Sequence, residues 1–227
     1  MQLTFYGHSC FLLETGTHRL IIDPFLTGNP KAPLTAEQVK CDFILITHGH
    51  NDHVGDAVTL AKRNNAMVIA NFEIATYCAK HGAKTHAMHI GGSHQFSFGK
   101  VKLTIAHHGS GLQTDEGFLY LGNPTGLLIS AGGKTVYHSG DTGLFLDMQL
   151  IGQLNKIDVA LLPIGDNFTM GVDDAVKAVE FLKPRLVIPM HYNTWDLIAA
   201  DTNAFSKKVQ ALAVEAKILA PGESHVF

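Results

Sequence analysis

The chain has 227 residues, 46% of them hydrophobic, which is enough to bury a substantial core in one large domain or two small ones. A formal charge of −3 with no run of Lys or Arg removes the electrostatic footprint of a general nucleic-acid binder, and long polyanions become poor substrates. No stretch reads as a signal peptide or a membrane span, and Cys10, Cys41 and Cys78 lack C-x-x-C spacing, so the expectation is free thiols, a cytoplasmic location and no membrane partner.

Short apolar runs of strand length recur through the first 140 residues or so: LTFYG, CFLLE, RLIID, FILIT, AMVIA, VKLTIA, GLLIS and KTVYH. Between them VGDAVTLAKRNN sets Val54, Val58 and Ala61 on one helical face, over 54–65, and NFEIATYCAKHG ends on Gly82, a helix stop. The second half continues with LFLDMQLIGQL, IDVALLPIG, VDDAVKAVEFLKP and RLVIPMH. In the third of these, two acids open a helix that Pro184 closes. A last helix is expected over about 203–216, leading into a short final strand. With no linker or low-complexity segment, residues 1–227 read as one α/β domain, sheets inside and helices outside, with two similar fused halves as one way to build it.

Several apolar runs finish on a potential metal ligand. LTFYG leads to His8, RLIID ends at Asp23, FILIT opens onto His48, KLTIA onto His107 and His108, TVYHSG onto Asp141, and LVIPM onto His191. Strand ends are rigid platforms from which ligands can converge. The densest cluster is THGHNDHVGD, where His48, His50, Asp52 and His53 crowd into six positions. His48 and His50, two apart in an extended turn, can share one ion; Asp52 and His53, on the next bend, can face a second. Gly49 and Gly55 allow the tight backbone path. The bland alternative is a solvated helix start with Asp52 as N-cap, but four unpaired donors at a strand mouth make a costly coincidence.

THGHNDHVGD resembles the metal-binding motif of the metallo-β-lactamase-fold hydrolases. GHSCFLLE, IIDPFLTGNP, MHIGGSHQF, HSGDTGLF, LPIGDNFTMG and PMHYNTW resemble the compact metal-dependent hydrolase subfamily related to ascorbate-6-phosphate lactonase, over about residues 2–225. The resemblance implies a four-layer αβ/βα sandwich with two mixed sheets flanked by helices, and a dinuclear centre along one edge of the paired sheets. It assigns His48, His50 and His108 to one metal, Asp52, His53 and His191 to the other, Asp141 as the bridge, and Asp23 as a support that orients a ligand. Strand alternation from Val101, Leu103 and Ile105 favours His107, whereas the family pattern selects His108.

His8 and His138 are each read either as satisfied core histidines or as groups facing the substrate, able to donate a proton to the leaving group. Asn167 and Thr169, in GDNFTMG, are read either as turn chemistry or as pocket lining. The remaining histidines, at 18, 81, 86, 89, 94 and 225, are read as surface or structural residues. The resulting expectation is an enzyme that hydrolyses a small ester, lactone or phosphoester with hydroxide bridging two divalent cations, Zn2+ first and Mn2+ second, Asp52 orienting the nucleophile. The competing readings are an iron-dependent redox protein on the same fold and a nuclease acting on RNA or DNA. The expected partner is a small-molecule substrate, not a nucleic acid, and self-assembly into a homo-oligomer is left open.

Overall fold

The computed structural model describes residues 1–227. The first half of the chain runs β1 (Gln2–Phe5), β2 (Phe11–Glu14), β3 (Arg19–Ile22), β4 (Phe43–Leu45), α1 (Asn51–Val54), α2 (Ala57–Asn64), β5 (Met67–Asn71), α3 (Phe72–Lys80) and β6 (Lys84–Met88). The second half begins with β7 (Ser93–Phe96), β8 (Gly99–Ile105), a hairpin of β9 (Gly111–Thr114) and β10 (Gly117–Tyr120), β11 (Thr125–Ala131) and β12 (Lys134–His138). It ends with α4 (Asp147–Leu154), β13 (Val159–Pro163), α5 (Val172–Leu182), β14 (Leu186–Met190), α6 (Thr202–Gln210), β15 (Glu215–Ala216) and β16 (Ser224–Val226). No helix is long and apolar enough to cross a membrane.

Two seven-stranded sheets result, ordered β16-β1-β2-β3-β4-β5-β6 and β15-β14-β13-β12-β11-β8-β7, with the β9–β10 hairpin outside both. Each sheet has an antiparallel part and a parallel part: pairing is antiparallel from β16 to β3 and from β7 to β12, and parallel beyond. Period-two alternation sorts the side chains into layers. Leu3, Phe5, Phe11, Leu13, Leu20 and Ile22 point inward against Val101, Leu103, Leu127, Ile129, Val159 and Leu161 of the other sheet. Their intervening neighbours Leu12 and Ile21 point outward onto Leu60, Ala61, Ile74 and Cys78 of α2 and α3. On the far side Ala160 and Leu162 meet Ala175, Ala178 and Val179 of α5. The architecture is therefore helix, sheet, sheet, helix, the expected four-layer α/β sandwich with mixed sheets. Each fully buried Leu, Ile or Phe in it contributes about 1.5–3 kcal/mol against exposure.

Three expectations need correcting. The helix expected over 54–65 is split into α1 and α2 at Gly55 (φ 40°, ψ −123°), a backbone state that a side chain resists. The last helix stops at Gln210, because Ala213 enters the left-handed region (φ 57°) and turns Glu215–Ala216 into a strand beside β14. Four strands are not among the expected runs: β6, β7 and β9 carry no apolar run, and the apolar residues of β10 are exposed, in a hairpin that belongs to neither large sheet.

Within each sheet, the strands that carry the candidate ligands run in one direction. β1, β3 and β4 lead to His8, Asp23 and the His48–His53 turn; β8, β12 and β14 lead to His108, Asp141 and His191. Bonds between the two halves pin this edge: both the N–H (2.9 Å) and the hydroxyl (2.8 Å) of Thr125 donate to the carbonyl of Thr47. The N–H of His191 donates to the carbonyl of His8 at 2.7 Å.

Candidate metal centre

The turn after β4 is shaped by close approach. A Cβ at Gly49 would lie 2.6 Å from the Ser110 carbonyl oxygen, and one at Gly55 would lie 2.4 Å from that of Pro24. The Gly49 N–H donates to Ser110 Oγ at 2.9 Å, tying the turn to the loop that carries His108. His50, not Asp52, is the N-cap residue of α1, and Asp52 sits in its first turn.

Beneath the turn lies a buried relay. Asp23 accepts from the Thr47 N–H (2.8 Å) and hydroxyl (2.7 Å), and its Oδ2 accepts again from His53 Nδ1 at 2.8 Å. Because the Thr47 proton goes to Asp23, the Thr47 oxygen is free to accept from His48 Nδ1, 2.9 Å away. Both imidazoles thus have Nδ1 committed as donor, which leaves Nε2 as the nitrogen that faces the centre. Asp23 is fully buried, and its carboxylate is bonded to Thr47 and His53.

The Nε2 atoms face Asp141. Its Oδ2 lies 3.0 Å from His191 Nε2, 3.2 Å from His53 Nε2, 3.7 Å from His108 Nε2 and 3.9 Å from His48 Nε2. His50 Nδ1 stands 3.0 Å from His48 Nε2, and the ligand atoms of His48, His50 and His108 all lie within 4.8 Å of one another. Two donors about 2.1 Å from one cation and roughly 90–110° apart are separated by about 3.0–3.4 Å, so this spacing suits a shared ion. A second group comprises His8, Asp52, His53 and His191. Asp141 Oδ1, His53 Nε2 and His191 Nδ1 are buried without hydrogen-bond partners; the His53–Asp141 contact is close enough for an ion pair but off the hydrogen-bond direction. Unpartnered donors and acceptors of this kind are rare in protein interiors. Their chemistry, imidazole and carboxylate with no thiolate, fits divalent cations.

The electrostatics agree. Burial holds His48 well below its ordinary value, and His50 and His108 are lowered chiefly by burial too, so all three are neutral donors. Burial alone pushes the Asp141 carboxyl up, yet His191 and His53 outweigh it and hold the group well below the carboxylate range.

His8 is bonded on both sides, Nε2 to Asp52 Oδ2 at 3.0 Å and Nδ1 to Thr194 Oγ1 at 2.8 Å. Burial lowers it to about 4. The neutral tautomer that satisfies both bonds donates to Asp52 and accepts from Thr194. Burial pushes Asp52 up, but His53 and the bond from His8 outweigh that and hold it well below the carboxylate range. The ring of His8 also lies 4.1 Å from that of His191 and 5.0 Å from that of Trp195.

The neighbouring histidines separate cleanly. β8 ends at Ile105, so alternation no longer governs the next residues; His108 turns to Asp141 while His107 stacks on Phe145 at 4.9 Å and 10°. The expectation of His138 as a proton donor is corrected. It is fully buried, its Nδ1 accepts from the Gly140 N–H (3.1 Å) and its Nε2 donates to the Ser9 carbonyl (3.1 Å), so both nitrogens serve the backbone. The pocket-lining reading of Asn167 and Thr169 is corrected too. Neither lines the cavity beside the centre; their loop instead bonds Met170 N–H to the Thr142 carbonyl at 3.0 Å, bracing the segment after Asp141.

That cavity, about 590 Å³, opens beside His50 and Asp52 and is walled by Phe25, Trp195 and Phe118. Sequence reasoning missed these aromatic residues and the two threonines, 47 and 194. The only signal in the sequence for Thr47 and Trp195 was that they adjoin the THGH and PMHYNTW segments.

Comparison with known proteins extends the picture. The description of a β-lactamase superfamily domain matches residues 2–191. The chain is 59% identical over 226 residues to a UPF0173 metal-dependent hydrolase of Pelotomaculum thermopropionicum, covering 99% of each. It is 61% identical over 225 residues to one from Desulforamulus reducens, covering 98% of each. Among solved structures, Igni18, described as a novel metallo hydrolase from the hyperthermophilic archaeon Ignicoccus hospitalis, superimposes with a TM-score of 0.90 at 39% identity, over 100% of this chain and 98% of that one.

Proposed function

Because the chain belongs to the metal-dependent hydrolases of the β-lactamase superfamily, we propose that it hydrolyses a small ester, lactone or phosphoester at a pair of divalent cations. The observation that carries this reading is the placement of Asp141 Oδ2 between the two groups of imidazoles, with its companion Oδ1 buried and unpartnered. On this reading His48, His50 and His108 hold one cation, Asp52, His53 and His191 the other, and Asp141 is shared. The donor set favours zinc, with manganese as the second choice.

When bound, such cations polarise the electrophile's oxygen and bring the pKa of a coordinated water from about 15.7 towards 7. The chain's own residues do the rest. Asp23 and Thr47 engage Nδ1 of His53 and His48, so Nε2 is the nitrogen each ring turns toward a cation. Asp52, ionised and held by His8, borders the cavity and orients the attacking water. The three cysteines are free and buried, which supports a reducing, cytoplasmic setting.

The test couples metal analysis to a panel of lactones, phosphodiesters, phosphomonoesters and thioesters, with wild type beside Asp141→Ala. Two equivalents of zinc or manganese per chain and turnover that disappears in the variant are expected. Stoichiometric iron with visible absorption, or full turnover by the variant, would overturn the reading.

A further inference from the structure

The cavity beside the centre has a wall whose chemistry no part of the hydrolytic machinery requires. Three aromatic rings reach it from separate segments: Phe25 after β3, Trp195 after β14, and Phe118 on β10. Trp195 is locked in place, its ring 5.0 Å from that of His8 and 6.1 Å from that of Phe25. Phe118 is the odd member, a phenylalanine with 79% of its surface exposed.

The hairpin geometry explains why it stands there. Gln113 pairs with Phe118, Leu112 with Leu119 and Gly111 with Tyr120, so the two faces of the hairpin alternate. Leu112 is buried in the core with Leu121 and anchors one face. The opposite face carries Gly111, Gln113 and Phe118, all of which border the cavity. The Phe118 ring lies over Gly111, where a Cβ would sit 3.4 Å from it, in van der Waals contact. The hairpin is held to α1 through Asn51, whose amide donates to the Gln113 carbonyl (3.1 Å) and accepts from the Gln113 N–H (2.9 Å). The exposed ring is thus carried at a fixed offset from His50 and Asp52 by the helix turn that follows them.

The charges of the wall complete the picture. It contains no Lys or Arg; its ionisable side chains beyond His50 are the carboxylates of Asp52 and Asp56. Lys31 borders a separate cavity of about 440 Å³ that His8 also lines and that His48, His50, Asp52, His53, His108, Asp141 and His191 do not. Sites that recognise phosphate or carboxylate through side chains use Arg, Lys or clustered N–H donors; with Asp52 given to the cation, the carboxylate left on the wall is Asp56, against which a like charge is disfavoured.

Resting on the hydrolase reading above, we infer that the substrate presents an uncharged, apolar, ring-sized group to Phe25, Trp195 and Phe118, and that substrates anionic at the end remote from the scissile bond are rejected. This narrows the substrate class to neutral aryl or similarly apolar esters and lactones.

Two measurements on the metal-loaded full chain test it. The first compares two δ-lactones: neutral, aromatic dihydrocoumarin and 6-phosphoglucono-δ-lactone. Wild type should favour the former by at least about tenfold in kcat/KM. Phe118→Ala should raise KM for dihydrocoumarin about tenfold while kcat moves little, since one buried ring is worth about that factor. Gln113→Lys should improve the phosphorylated lactone relative to wild type. The second uses the chain's single tryptophan, Trp195, whose fluorescence should respond saturably to phenylacetamide and not to acetamide. Equal or better turnover of the phosphorylated lactone, or no saturable response to phenylacetamide, overturns the inference and leaves the hydrolase reading standing. Failure of the loaded protein on these lactones and on the whole panel overturns both.

Discussion

Beyond β4 the chain places His48, His50, Asp52 and His53 in one turn, held from below by Thr47 and Asp23. Beyond β12 and β14 it places one candidate ligand each, Asp141 and His191, with no such relay: Asp141 Oδ1 and His191 Nδ1 have no partner. The first sheet therefore brings donors already aimed by the protein's own hydrogen bonds, and the second brings donors whose orientation depends on what they bind. A centre assembled this way keeps one rigid side, while the other is completed by its ligands.

The sharpest way to break that asymmetry is Asp141→Ala, which removes the one oxygen common to both imidazole groups. Loss of bound metal and a fall in turnover of about 10³-fold are expected, read by metal analysis and steady-state rates. Asp23→Asn strikes the rigid side without touching a candidate ligand. Because an amide cannot accept from the Thr47 and His53 donors as the carboxylate does, metal affinity should fall about 10–100-fold, with about 1–3 kcal/mol of stability lost to unmet donors. Competition with a chelator and denaturant melts separate the two effects. Thr47→Val frees the His48 ring and removes one of the donors to Asp23 while keeping the backbone one, and should cost no more than about tenfold in affinity, whereas the same change at Thr194, whose hydroxyl bonds His8, should leave metal content intact.

The smallest effect concerns pH. Burial lowers the His8 value to about 4 from an ordinary 6.5, so the folded form favours the neutral ring. The stability this ring brings is whole above about pH 6.5 and is lost as pH falls from there towards about 4, by ~3 kcal/mol at most. In chelator-treated protein, thermal midpoints should fall less steeply over that range for His8→Gln than for wild type.

How much of this was legible in the sequence follows from the same asymmetry. The His48–His53 cluster announced itself because an apolar strand and four donors are contiguous. Asp141, His108 and His191 are single residues at the ends of apolar runs; the pattern marked them as candidates, and only the family resemblance gave them roles and chose His108 over His107. His138 misled because it precedes Asp141 closely; in the strand it points between the sheets, where Ser9 and Gly140 take both its nitrogens. Thr47 and Thr194 carry no pattern at all, since a hydroxyl earns its role only from neighbours brought in by folding. The hairpin escaped notice for a similar reason: its strands belong to neither sheet and show no run of buried residues. The layers themselves were readable, because inward and outward residues alternate along β2, β3 and β13 and each side meets a core.

One feature of the rigid side reaches further. Burial by itself would push His53 down, but the carboxylates of Asp141, Asp23 and Asp52 prevail and hold it well above its ordinary value. A cation arriving at its Nε2 must therefore displace a firmly held hydrogen ion. Loading is an exchange of one positive species for another: in a weakly buffered solution, adding zinc to the stripped protein acidifies the medium, and uptake grows tighter as the solution is made more alkaline.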